Sequence, residues 1–101
     1  MRIVSTRTPS FPEVTFNKPL NIPDGERWNE LCGDLGHWRV GAYSPEGGSL
    51  ADVQELELHT CPELFLLISG AVTLVLSDMK GGVIEMPLEP MKPVLVTAPH
   101  S

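Results

Sequence analysis

The chain has 101 residues, enough for one domain with a modest core, and 42% hydrophobic with 20% charged residues is globular rather than disordered composition. Its net charge of −6, from 7 basic and 13 acidic residues, comes without any basic cluster, which argues against nucleic acid and against an anionic membrane surface as partners. The longest apolar run, 64–68, is far short of the roughly 20 residues that span a bilayer, and residues 1–10 lack a signal-like apolar stretch, so a cytoplasmic protein is expected.

Ten prolines and nine glycines spread along the chain argue for many short strands and against long helices. In chain order, residues 1–23 read as an extended, proline-rich arm with a strand over 13–16. Residues 24–33 fit either a short helix, capped by Asp24, ended by Gly33 and carrying Trp28, Leu31 and Cys32 on one face, or an irregular loop. Residues 36–43 alternate as a strand, with Trp38 and Tyr43 expected in a core or pocket wall and His37 expected to be structural. A turn at 44–48 leads to a strand over 53–59, and 63–68 reads as a buried strand broken by Ser69-Gly70. Residues 71–76 form a strand with Val72, Leu74 and Leu76 on one face. A hairpin loop at 78–82 leads into a strand over 83–86, a rigid connection over 87–93 and a last strand over 94–97. Short strands at near-regular spacing predict an all-β, antiparallel sandwich or barrel.

The chemistry concentrates in Glu57-Leu-His59-Thr-Cys61-Pro-Glu63. On an extended chain Glu57, His59 and Cys61 point one way while Leu56 and Leu58 point the other. A carboxylate, an imidazole and a thiol on one face suit a transition metal, and a solvated polar face with one incidental histidine is the competing reading. Cys32 and Cys61 are too few for a disulfide framework and are expected as thiols, Cys32 as a small core residue. Neither a Gly-x-Ser-x-Gly nucleophile turn nor a phosphate-cradling glycine loop is present, so no nucleotide cofactor is expected.

Glu63, followed after six residues by Gly70, with His59 three residues before it and Gly48 upstream, resembles the first motif of the cupin superfamily. That motif carries an HxH pair, whose second position falls on His59 and whose first falls on Glu57. Residues 94–100 resemble the second motif, with His100 as its histidine, although the usual Pro-x-Gly before it is missing. The resemblance covers residues 36–101 and implies a cupin-type jelly-roll barrel, preceded by a 1–35 arm that packs on it. The chain stops one residue past His100, so either the last strands are lacking or another subunit completes the barrel edge.

The resemblance implies a metal held by His59, His100, Glu63 and Glu57, with Cys61 as a rim residue. A second register, in which His59-Thr-Cys61 stands for the HxH pair, loses the Glu63 spacing. Two histidines with one or two carboxylates suit Fe, Mn, Ni or Zn, and geometry would choose among them. The implied function is oxidation, in the manner of a dioxygenase, or isomerisation of a small organic molecule by a homodimer. A metal-free small-molecule binding module and a structural dimerisation domain are the alternatives. Glu63 capping the turn or pairing with Arg39, rather than binding a metal, is the structural competitor at that position.

Overall fold

The computed structural model describes residues 1–6, 17–34 and 38–101. Among them the regular structure is all β, with no α-helix and a single 3-10 turn at Leu50–Asp52. The strands are β1 (Arg2–Ser5), β2 (Trp28–Asp34), β3 (Trp38–Tyr43), β4 (Glu55–Leu58), β5 (Glu63–Phe65), β6 (Thr73–Ser77), β7 (Val83–Pro87) and β8 (Val94–Val96). No helix among these residues is long and apolar enough to cross a membrane. The chain divides into two compact units, Thr8–Gly47 and Met1–Arg7 with Gly48–Ser101. The strand expected over 13–16, and His37, lie outside the described residues.

In the unit built on Gly48–Ser101, three ladders form, each from a different signal. The β6–β7 hairpin is the most local. Asp78 Oδ1 accepts from the Lys80 and Gly82 amides at 2.7 and 2.8 Å, closing the loop between Ser77 and Val83. β5 and β8 pair antiparallel, Glu63 opposite Val96 and Phe65 opposite Val94. Gly70, at φ +82°, takes the backbone through a left-handed turn after β5, a conformation that penalises any side chain. β1 and β4 pair in parallel, with Ile3 opposite Leu56, which departs from the wholly antiparallel arrangement expected. Parallel pairing needs a long crossover, and here nearly fifty residues separate the two strands.

The last residues join these ladders. His100 pairs with Glu57 of β4 on one side and Leu76 of β6 on the other. The Glu57 and His100 amides and carbonyls exchange bonds of 2.8 and 3.0 Å, and Val75 and Ser101 exchange another pair at 2.9 and 3.0 Å. The sheet therefore runs β1, β4, residues 99–101, β6, β7. Residues directly opposite one another share a face. Glu57, His100, Leu76 and Leu74 thus face one side, and Ile3, Leu56 and Val75 face the other.

On the first side Leu74, Leu76 and Val96 form the buried core, with Phe65, Met86, Leu88 and Val94 packed against it. That core is where the β5–β8 ladder lies over β6 and β7. Val72, expected to share this face, is only half-buried. On the second side Met1, Ile3, Leu56, Met79 and Val83 line an open apolar depression of about 260 Å³. The pairings form no closed barrel among the described residues. The stretch 63–68, expected to be buried, is so only at Leu67. Leu64 and its partner Leu95 are 67% and 66% exposed, because a two-stranded ladder with one covered face must present the other.

The unit Thr8–Gly47 contains the β2–β3 hairpin. Neither of the two readings of 24–33, short helix or irregular loop, anticipates the strand found over residues 28–34. A bulge between Glu30 and Cys32 shifts the register, so the spacing of Trp28, Leu31 and Cys32, which suits a helix face, is also met by a bulged strand. Cross-strand partners decide in favour of the strand. The Trp28 ring lies on the Gly41 backbone, where a Cβ would stand 2.1 Å from Cη2. Arg39 donates to Glu30 at 2.5 Å and its guanidinium sits 5.2 Å from the Trp28 ring. Arg39 is therefore committed to Glu30 in this hairpin. Trp28 and Tyr43 meet edge to face at 6.4 Å. Trp38 and Tyr43, expected inside, are exposed, and Cys32, expected in a core, is only half-buried.

Candidate metal centre

Three segments converge on the face that carries the core. β4 ends at Leu58, so His59 follows it on the same side as Glu57. The chain then bends through residues 60 and 61, and Glu63 opens β5 with its side chain on the inner face shared with Val96. After β8 the chain reaches His100, which the pairing with Glu57 and Leu76 holds with its ring on that face. One ligand atom each from His59, Glu63 and His100 lies within 4.8 Å of the others. The two imidazole rings are 5.5 Å apart, and Phe65 abuts His100 edge to face at 5.2 Å.

Each ring is held from behind. His100 Nδ1 donates to the Ala98 carbonyl at 2.9 Å, an acceptor that fixes the proton on that nitrogen. Its Nε2 is thereby aimed at Glu63 Oε2, 2.5 Å away. His59 Nδ1 meets Thr6 Oγ1 at 2.8 Å, and its Nε2 stands 3.1 Å from Glu57 Oε2 and 3.4 Å from Glu63 Oε2. Imidazoles that ligate metals through one nitrogen are typically anchored through the other in this manner. Glu57 differs from the other three residues. It touches His59, but its side chain is 53% exposed and it lies at the edge of the cluster.

The electrostatics follow from that crowding. Burial of the His100 ring disfavours its charged form. The hydrogen bond to Glu63, the Ala98 carbonyl and the negative charges of Glu63 and Glu57 act the other way and prevail, so its pKa lies above the ordinary 6.5. The short His100–Glu63 contact sets an imidazole nitrogen directly against a carboxylate oxygen. These two atoms and His59 Nε2 are the ones that could hold a divalent cation. Two imidazole nitrogens and a carboxylate oxygen, anchored from behind, fit a first-row transition ion.

Of the residues named from sequence, His59, Glu63 and His100 come together and Glu57 stands beside them, while Cys61 is an exposed thiol. Two participants were missed. Ala98 is engaged through its backbone carbonyl, which no side-chain pattern signals. Thr6 reaches the site because the parallel register that ends at Ser5 opposite Leu58 puts it beside His59. No family model, curated protein or solved structure matches the chain.

Proposed function

We propose that this chain is a cupin-type domain that supports a divalent transition ion (Fe, Mn, Ni or Zn) and acts on a small organic molecule by oxidation or isomerisation. The observation that carries the reading is the convergence of His59, Glu63 and His100 from the end of β4, the start of β5 and the strand-like tail. Bound there, an ion would supply Lewis acidity and open coordination positions for a substrate. The chain's own residues divide the remaining tasks. Ala98 and Thr6 orient the two rings, Phe65 covers His100, and the half-exposed Glu57 carboxylate is placed to accept a proton from a molecule entering beside His59.

Metal analysis of freshly purified protein tests this. One equivalent of ion is expected, with a rise in melting temperature on adding Fe, Mn, Ni or Zn, and with both lost in His59→Ala and His100→Ala. Absence of stoichiometric metal together with no thermal response to any of the four ions would overturn the reading.

Two observations favour the other readings. The apolar depression lined by Ile3, Leu56 and Val83 suits a metal-free small-molecule binding module, which a ligand-induced thermal shift in chelator would support. The exposed Leu64 and Leu95 on the outer face of β5 and β8 suit a homodimer, with or without a metal. A molecular mass of one chain at micromolar concentration would end the dimer proposal.

A further inference from the structure

We propose that Thr6 is the positioning residue for ion binding at His59, its hydroxyl serving as a two-way partner that keeps the ring aimed in both the free and the loaded site. The inference rests on the metal reading above and deepens it.

The two histidines are anchored by different chemistry. His100 Nδ1 faces a carbonyl, which only accepts, so its Nε2 is always the nitrogen turned to Glu63. His59 Nδ1 faces a hydroxyl, which both donates and accepts. That matters because of what lies on the other side of the His59 ring. Glu57 and Glu63 present carboxylate oxygens 3.1 and 3.4 Å from Nε2, and acceptors there favour a proton on Nε2 when no ion is bound. Nδ1 then carries the lone pair, and Thr6 donates to it. An ion bound at Nε2 would need a lone pair there, so the ring proton would sit on Nδ1 and the Thr6 hydroxyl would accept its hydrogen bond. A carbonyl in the position of Thr6 would oppose the first state, and a backbone amide would oppose the second. The hydroxyl accommodates both without the ring turning.

The placement of Thr6 is tertiary. β1 pairs with β4 in parallel from Arg2 opposite Glu55 to Ser5 opposite Leu58, and the amide of Arg2 bonds the Gln54 carbonyl at 2.9 Å. An ion pair between Arg2 and Glu55 reinforces the same register. The next residue on each strand is Thr6 and His59, so the first strand of the chain delivers the hydroxyl to the ligand ring.

Zn²⁺ affinity measured by chelator competition on the full chain tests this, alongside the melting temperature of each protein in excess chelator. Thr6→Val, which keeps the shape and removes the hydroxyl, should bind Zn²⁺ about 10–100-fold more weakly with little change in the metal-free melting temperature. Thr6→Ser, which keeps the hydroxyl, should stay within about threefold of wild type. Should valine disturb β1, Thr6→Ala against Thr6→Ser makes the same comparison. Wild-type affinity in Thr6→Val, or equal losses in the Val and Ser variants, would overturn the role of the hydroxyl while leaving the metal reading in place. Failure of the wild-type chain itself to bind Zn²⁺ or the other ions would remove both.

Discussion

The junction at His100 and the β2–β3 hairpin are built from matching parts. Each brings together a carboxylate, a nitrogen cation and an aromatic ring: Glu63, His100 and Phe65 in one, Glu30, Arg39 and Trp28 in the other. Their chemistry diverges because guanidinium never releases its proton under ordinary conditions, whereas imidazole does. The hairpin pair is a fixed clasp between two strands. The junction pair is an imidazole and a carboxylate in short contact, both potential ligands, beside a third. Surroundings widen the difference, since the His100 side chain is 9% exposed and the Trp28 residue 44%. An ion pair with an aromatic neighbour is thus not by itself a site. It becomes a candidate when the nitrogen facing the carboxylate can trade its proton for a metal and the ring's other nitrogen is held in place.

The comparison breaks most readily at the ligands. His100→Ala should weaken Zn²⁺ binding by more than about 100-fold, beyond the range of outer-shell changes, while Arg39→Ala should leave it within about twofold; chelator competition reads both. Equal losses would mean that the hairpin is part of the site after all. Next in size is the core under the junction. Leu74, 2% exposed in the cluster with Leu76 and Val96, should cost about 3 kcal/mol as Leu74→Ala in urea unfolding, by lost burial and the cavity left behind. In the hairpin, Gly41→Ala should displace the Trp28 ring at a cost of about 1 kcal/mol, visible as altered tryptophan fluorescence, because an exposed ring can swing away from the new methyl.

A smaller effect separates the two cations by pH. His100 has a folded pKa above its ordinary value, so the folded state holds that proton more tightly than the unfolded chain. Its contribution to stability is complete below about 6.5 and fades as the pH rises through the folded value. In chelator, the stability advantage of wild type over His100→Gln should therefore shrink over the pH interval that begins near 6.5 and runs upward, as urea midpoints would record. Removal of the Arg39–Glu30 pair by Arg39→Gln should cost about 0.5 kcal/mol, with no change across that interval and a smaller effect at high salt. A pH-independent His100 effect would contradict the raised His100 pKa.

Much of the strand order was readable because its causes are local. Alternation in 71–76 and 83–86, joined by an Asp78–Gly82 loop, specifies a hairpin whose partners are neighbours in the chain. The β2 strand was misread for a reason equally local. Trp28, Leu31 and Cys32 satisfy the helical period, and only the bulge and the Gly41 seat for Trp28 show which period applies. Leu64, Leu66 and Ile68 are exposed against expectation because an apolar run reports affinity for burial and not which face another layer covers.

By itself the sequence determined which residues have coordinating chemistry: Glu57, His59 and Glu63 are adjacent, and residue types and spacing carry that information. Tertiary structure alone decided that His100 would be threaded between β4 and β6, that Ala98 and Thr6 would anchor the two rings, and that Glu57 would stay at the rim. Those outcomes depend on pairings between distant segments and on backbone groups that every residue possesses, and neither leaves a mark in the local pattern.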